Sequence, residues 1–280
     1  MLSETKTTQL LNSIRENKKY SSISEDLIRQ EISSYFKINP KKVEIIERPR
    51  SEKFKKIVKD IRAKLHLAYG SFQSEDKDQR EDYLKSLQGI NDYKTFDKIL
   101  STSVSSKERL DDYEFLYKEI FKITGKPKKI LDLGCGLNPI SFPYMGINSC
   151  VYYAYDIDET DIGFLNEYFS LMKQYSQLNG KAFVLNIKNK GLKLPKGDIC
   201  FMFKLLDVIE KNNHKLSEYI IKTLDCNYIV ASFSIKTVSG KKMNHPYRGW
   251  IEKMLERIDF KFEKILTENE VFYIIKTKSF

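Results

Sequence analysis

The sequence predicts an α/β protein whose mostly parallel sheet ends in an antiparallel hairpin and is preceded by a helical N-terminal domain. Three observations carry that prediction. Over roughly the first hundred residues the apolar positions recur at intervals of three and four, and strand-like alternation is scarce. From Lys128 onward short apolar runs alternate with helical patterns, the arrangement of βαβ units around a parallel sheet. Residues 260–267 and 271–277 then alternate on either side of Glu268-Asn269-Glu270, which reads as a hairpin on the sheet edge.

In the helical part, SEKFKKIVKDIRAKLHLAYG places Phe54, Ile57, Val58, Ile61 and Leu65 on one stripe, leaving Lys53, Lys56, Lys59, Arg62 and Lys64 largely outside it. Pro49, just before Ser51, marks the start of that helix, and Gly70 its stop. The serine-rich STSVSS at 101–106 is the expected boundary between a domain over 1–105 and a second over 106–280. The second opens with a helix, KERLDDYEFLYKEIFKI. Strands follow near 129–134, 151–156, 182–187, 198–203 and 227–233.

With 41% apolar and 31% charged residues in 280, the composition is that of a globular protein able to bury a core. The net charge of +10 points to a polyanionic partner. Residues 41–64 hold ten Lys/Arg against four Asp/Glu, and Lys236, Lys241, Lys242 and Arg248 form a second cluster in a stretch without acids. A solvated basic face explains either cluster alone; two together favour a phosphate backbone. Cys135, Cys150, Cys200 and Cys226 form no C-x-x-C pair and share no neighbourhood with His66, His214 or His245. Reduced core thiols are therefore expected, with no metal site and no disulfide scaffold. The start, MLSETKTTQL, lacks a signal-peptide pattern, and no apolar run reaches the roughly 18 residues that span a bilayer. A monomeric, cytoplasmic protein with no membrane association is the expectation.

The stretch ILDLGCGLNP at 130–139 carries the chemistry. Gly134 and Gly136 follow a strand where a parallel sheet opens onto its ligand crevice, and glycine permits positive φ and close backbone approach. The amides around 134–138 are candidate ligand donors. G-C-G lacks the third glycine of G-x-G-x-x-G, so a dinucleotide is disfavoured; a tight turn with no ligand stays open as an alternative. The next strand, VYYAYDID, ends in Asp156 and Asp158, where an acid can accept both hydroxyls of a ribose or simply cap a helix.

L-D-L-G-C-G followed by an acid about twenty residues later resembles the Rossmann-like class I S-adenosylmethionine-dependent methyltransferases. More closely, the chain resembles the aminoglycoside-resistance 16S rRNA (guanine-N7) methyltransferases of the Arm/Rmt type. The resemblance rests on SSKERL at 105–110, LGCGLNPI at 133–140, FKLLDVIE at 203–210, SFSIKTVSG at 232–240, and Met243, Tyr247 and Trp250 in MNHPYRGW. RAKLHLAYG at 62–70 is similar to that family's N-terminal RNA-binding part.

The resemblance implies S-adenosylmethionine as cofactor and 16S rRNA in the small ribosomal subunit as substrate. It gives Arg109 the cofactor carboxylate, for which a guanidinium fork is suited. Gly134, Cys135 and Gly136 become the backbone wall of the pocket, with Asn138 at the start of the following helix. Asp156 and Ile157 fall beside the ribose, and Asn186 and Ile187 beside the adenine, where the family usually has Asp in place of Asn186. Phe203, Lys204 and Leu205 close the pocket. Ser232, Lys236 and Lys242 match positions that touch RNA, and Tyr247 and Trp250, at a three-residue spacing on an expected helix, match ones that stack on a withdrawn base. For Trp250 core packing is an equal alternative. Lys53, Lys56, Lys59, Arg62 and Lys64 would grip phosphates.

Guanine N7 has a free in-plane lone pair, so no general base is required and no catalytic side chain is expected. FMFKLLD lacks both an Asn-Pro-Pro-aromatic motif for exocyclic amines and a Pro-Cys nucleophile for pyrimidine carbon. Methyl transfer to another RNA or a small molecule, and a non-catalytic ribosome-binding role, remain the alternatives.

Overall fold

The computed structural model describes residues 2–47, 51–68, 78–189, 191–210, 213–237 and 240–277. Pro49 and Gly70, the expected helix limits, lie outside them. The chain forms two compact units, one from 1–72 with 157–160 and one from 73–156 with 161–280.

In the first unit, helices α1 (Glu4–Arg15), α2 (Glu25–Ile38) and α3 (Glu52–Ala68) bury one apolar stripe each. All five stripe residues of α3 are buried, from Phe54 to Leu65. Ser3 caps α1, its hydroxyl accepting the Lys6 N–H at 3.4 Å. Ile157 joins this core, its carbonyl accepting the Ser24 N–H at 2.9 Å, and Ser22 donates to Asp158 at 3.1 Å.

The second unit begins with α4 (Arg80–Lys85), α5 (Tyr93–Ser101), α6 (Val104–Lys107) and α7 (Tyr113–Thr124). The boundary thus differs from the expected 105/106. Phe96, Ile99 and Leu100 of α5 share one core with Tyr113 and Tyr117 of α7, so α5 cannot be cut away from the sheet. The serine-rich stretch lies inside the second unit, running from the end of α5 into α6, where Ser106 is buried. The expected helix from residue 107 is also interrupted: Leu110–Asp112 forms a 3₁₀ turn, with Arg109 just before it.

Among the described residues, seven strands make one sheet in the order β3-β2-β1-β4-β5-β7-β6. The strands are β1 (Lys129–Leu133), β2 (Ser149–Asp156), β3 (Gln177–Val184), β4 (Gly197–Phe203), β5 (Cys226–Ser234), β6 (Lys261–Leu266) and β7 (Glu270–Lys276). The first five are parallel; β7 runs antiparallel to β5 and to β6, which ends the sheet as the expected hairpin. Successive residues face opposite cores, as pleating demands. Ile130, Tyr152 and Phe201 meet α5, α7 and α8 (Glu159–Met172), while Leu131, Met202 and Tyr273 meet α10 (Lys215–Thr223) and α11 (Gly249–Arg257). Short α9 (Leu205–Ile209) follows β4 directly. Strand β3 begins earlier and ends earlier than the expected 182–187. Within the strand, a Cβ on Gly180 would lie 1.9 Å from the Phe169 ring, which rests there.

Candidate active site

In the strand order, β1 lies between β2 and β4, so chain connections leave to opposite sides at its carboxyl end and open a crevice there. The residues after β1 adopt the conformation expected of them: Gly134 has φ +64° and Gly136 φ +48°. The amides serve another purpose than expected. Gly134 and Cys135 N–H both donate to the Tyr155 carbonyl, at 2.8 and 3.1 Å, and Gly136 N–H donates to Asp156 Oδ2 at 2.9 Å. These bonds fasten the turn to β2 and hold the Asp156 carboxylate beside it. Space lies open where a Cβ on Gly136 would stand, whereas one on Gly134 would be 2.7 Å from Leu205 Cδ1. Leu205 therefore closes onto the glycine turn.

A buried polar network supports the turn from below. Asp132 Oδ2 accepts from Tyr152 Oη at 2.6 Å and from Asn138 Nδ2 at 2.9 Å. Tyr117 Oη is 2.7 Å from Ser141 Oγ and 3.3 Å from Asn138 Oδ1. Asn138 is thus a strut beneath the pocket, buried among these groups, and begins the helix that follows, a 3₁₀ helix over Asn138–Met145. Burial pushes the Asp132 carboxyl up to about 6, against the pull of the Tyr152 and Asn138 hydrogen bonds. Its Oδ1 has no hydrogen-bond partner. Burial also raises the Cys135 thiol well above its ordinary value, aided by the charge of Asp156, so Cys135 is no thiolate nucleophile.

Arg109 is 3% exposed, and its Nε donates to Glu270 Oε1 at 2.7 Å. Its guanidinium carbon lies 5.0 Å from the centre of the Phe203 ring. Glu270, fully buried, also accepts from Ser232 Oγ at 2.5 Å and stands 3.3 Å from Lys204 Nζ. Burial by itself would raise Glu270, but the charges of Arg109 and Lys204 outweigh it and hold the carboxyl below its ordinary value. Lys204 adopts a left-handed conformation, φ 55°, with its N–H shared between the carbonyl and hydroxyl of Ser232, each at 3.1 Å. Its ammonium pairs with Glu108 as well.

Several expected contacts move. Ser232, expected to touch RNA, is fully buried in the Glu270 network. Ile157, expected beside the ribose, packs in the core of the helical unit. Arg62 turns inward: its guanidinium donates to the Ser13 and Ile14 carbonyls, at 2.5 and 3.2 Å, and so caps the end of α1. Tyr247 precedes α11 and does not share that helix with Trp250. Trp250 packs between Phe233 and His214, whose ring stacks on it 3.9 Å away and 7° from parallel. Asn186 is buried, its Oδ1 accepting the Lys188 N–H at 3.1 Å, and Ile187 joins the apolar core below it.

Other positions keep the exposure a polyanion would need. Lys53, Lys56, Lys59 and Lys242 are exposed, and Tyr247 is 47% exposed with Lys264 Nζ 4.5 Å from its ring centre. Lys236 bridges to Glu268 at 3.0 Å, and Lys64 lies over the Tyr35 ring at 5.4 Å. Two site residues escaped sequence reasoning, Asp132 and Glu270. Their signal was an acid inside an otherwise apolar strand, in KILDL and EVFYIIK. Among the described residues, no helix is long and apolar enough to cross a membrane, and no group of three or more His, Cys, Asp or Glu could hold a metal.

An S-adenosyl cofactor suits this crevice: open space at Gly136, the Asp156 carboxylate at the strand end, the unpartnered Asp132 Oδ1 and the Arg109 guanidinium match a ribose, an ammonium and a carboxylate in kind. Comparison with known proteins agrees. The family model described as ribosomal RNA methyltransferase (FmrO) matches residues 41–274. A 16S rRNA (guanine(1405)-N(7))-methyltransferase of Proteus mirabilis is 28% identical over 242 residues, 79% of this chain and 84% of the relative. A protein of the same name from Serratia marcescens is 27% identical over 269 residues, 95% and 96% of the two chains. The crystal structure of 16S rRNA methyltransferase RmtF in complex with S-adenosyl-L-homocysteine aligns with a TM-score of 0.77 over 99% of this chain and 100% of that one. At 20% identity it speaks to the fold alone.

Proposed function

This chain belongs to the ribosomal RNA methyltransferase (FmrO) family, and on that premise we propose that it methylates N7 of a guanine in the decoding region of 16S rRNA, using S-adenosylmethionine. It does so as a cytoplasmic monomer acting on the small ribosomal subunit, and aminoglycoside resistance is the expected consequence. One observation carries the reading: the glycine turn, Asp156 and Arg109 border the sheet's carboxyl end, the turn and Asp156 fastened to each other and Arg109 to buried Glu270.

When bound, the cofactor would supply a methyl group on a sulfonium centre, leaving as S-adenosylhomocysteine as its S–CH3 bond breaks; guanine N7 has a free in-plane lone pair, so no side chain would be needed to remove a proton. The protein's task is alignment, which contributes up to roughly 7–11 kcal/mol when reacting atoms are well placed. Arg109 holds the cofactor carboxylate, Asp156 the ribose hydroxyls, and Leu205 and Phe203 wall the methyl donor. Asn186 lies on the adenine side. Lys53, Lys56 and Lys59 contact phosphates from the helical unit; Lys236, Lys242 and Tyr247 contact RNA from the sheet unit. Trp250 is left to support its surroundings, since both its neighbours are aromatic.

The test incubates purified small subunits with the protein and labelled S-adenosylmethionine, then applies borohydride and aniline, which cleave at N7-methylguanosine. Cleavage at a single decoding-region guanine is expected. Label incorporated without cleavage would assign another acceptor atom, and no incorporation with intact cofactor binding would leave a ribosome-binding role.

A further inference from the structure

Glu270 has no role in the reaction just described, yet it is fully buried and ties together two residues of the cofactor site. It begins β7, on the far side of β5 from the glycine turn, and pairs in register with Ser234. Its two oxygens divide their partners: Oε1 takes Arg109 Nε at 2.7 Å and Lys204 Nζ at 3.3 Å, and Oε2 takes the Ser232 hydroxyl at 2.5 Å. The preceding residue acts alongside it, because Asn269 Nδ2 donates to the Glu108 carbonyl at 2.6 Å. Two consecutive hairpin residues thus grip two consecutive residues, Glu108 and Arg109.

The side of the guanidinium that is engaged matters. A guanidinium offers one edge through Nε and a forked edge through its two Nη groups, which suits a planar carboxylate. Fastening Nε to Glu270 fixes the plane of the guanidinium, which also interacts with the Tyr113 hydroxyl. The same carboxylate also offsets one of two neighbouring cations, without which Arg109 and Lys204 would repel each other in a dry site.

We propose that Glu270 is a positioning residue of the cofactor site, holding Arg109 by Nε and Lys204 by its ammonium so that the guanidinium fork meets the methionyl carboxylate. This rests on the reading of Arg109 given above. The C-terminal hairpin is accordingly part of the cofactor site, though it touches no part of the cofactor.

Calorimetry with two ligands tests this, S-adenosylhomocysteine and 5'-methylthioadenosine, which keeps the nucleoside and lacks the amino-acid carboxylate. Glu270→Ala should weaken S-adenosylhomocysteine by about tenfold or more and leave 5'-methylthioadenosine within about twofold. Glu270→Gln, which keeps an acceptor oxygen without the charge, should give a smaller loss with the same selectivity, and it decides the matter should Glu270→Ala fail to fold. In the double variant with Arg109→Ala the two losses should not add, since one acts through the other. Equal weakening of both ligands, or additive losses, would overturn the proposal. Absence of binding of either ligand to the unaltered protein would instead remove the functional reading itself.

Discussion

The sheet unit buries two carboxylates beside its crevice and treats them in opposite ways. Asp132 sits beneath the glycine turn among neutral donors, the Tyr152 hydroxyl and the Asn138 amide, while Glu270 sits among Arg109, Lys204 and Ser232. Burial penalises both charges. Neutral hydrogen bonds recover only part of that penalty, so Asp132 is pushed up to about 6; two cations overturn it, so Glu270 stays below its ordinary value. The neutral side is therefore a scaffold that, with no cation at its unpartnered Oδ1, carries its charge only at a cost. The ionic side holds a fixed charge where a charged part of a cofactor must be oriented.

The largest effect should come from breaking the ionic side at one partner. Arg109→Ala leaves Glu270 buried with only Lys204 to offset it, and removing one member of a buried pair typically costs about 3–5 kcal/mol. Urea unfolding should show a loss of that order beyond any change in cofactor binding. Adding Glu270→Gln should recover part of it, because the uncompensated charge is gone. A loss well under about 1 kcal/mol would mean that water reaches the pair.

The neutral side predicts a dependence on pH of opposite sign. Asp132 is raised from 3.8 to about 6 in the folded chain, so its contribution to stability is complete below pH 3.8 and is lost as pH rises through about 6. The shift of about two units corresponds to at most about 3 kcal/mol. Glu270 runs the other way, adding stability that is present above its ordinary 4.5 and lost as pH falls below it. Asp132→Asn should therefore gain on the unaltered protein as pH rises from about 4 to about 6, then hold a constant difference. Urea midpoints across that range check this, and a difference flat throughout would show that Asp132 keeps its charge.

The comparison also explains which parts of the site were legible in the sequence. Gly134 and Gly136 were legible because positive φ after a strand demands glycine, and the stripe of α3 because its period is local. The pattern around Arg109 predicts an unbroken helix, whereas Arg109 stands just before a 3₁₀ turn. Its actual conformation answers to Glu270, 161 residues further on, a distance no local pattern spans. Ser232 carried the same ambiguity: a hydroxyl at a strand end serves RNA or a neighbouring strand equally well, and only the pairing of β5 with β7 decides. Arg62 and Lys59 share one helix and one charge, yet Arg62 is taken up by carbonyls of α1, which a helical wheel does not display. The misplaced start of β3 has the simplest cause. Gly180 weakens the local strand signal, and only the fold shows Phe169 occupying the missing side chain's place.

The smallest effect should come from trimming the scaffold at its outer end. Tyr117→Phe removes one hydroxyl and keeps the ring, which stacks on Tyr113 at 5.8 Å and tilts against Phe201 at 6.0 Å. The hydroxyl meets Ser141 Oγ and Asn138 Oδ1. Ser141 retains a partner, since its hydroxyl donates to the Asn138 carbonyl at 2.6 Å, so the loss should be that of an ordinary buried hydrogen bond, about 1 kcal/mol. The group is uncharged, so the loss should not vary between about pH 5 and pH 8. Affinity for S-adenosylhomocysteine should stay within about twofold, because the Asp132–Asn138 contact that supports the turn is intact. If instead affinity fell about tenfold while stability barely moved, the neutral network would be orienting the turn as sharply as Glu270 orients Arg109, and the division between scaffold and charge-holding side would collapse.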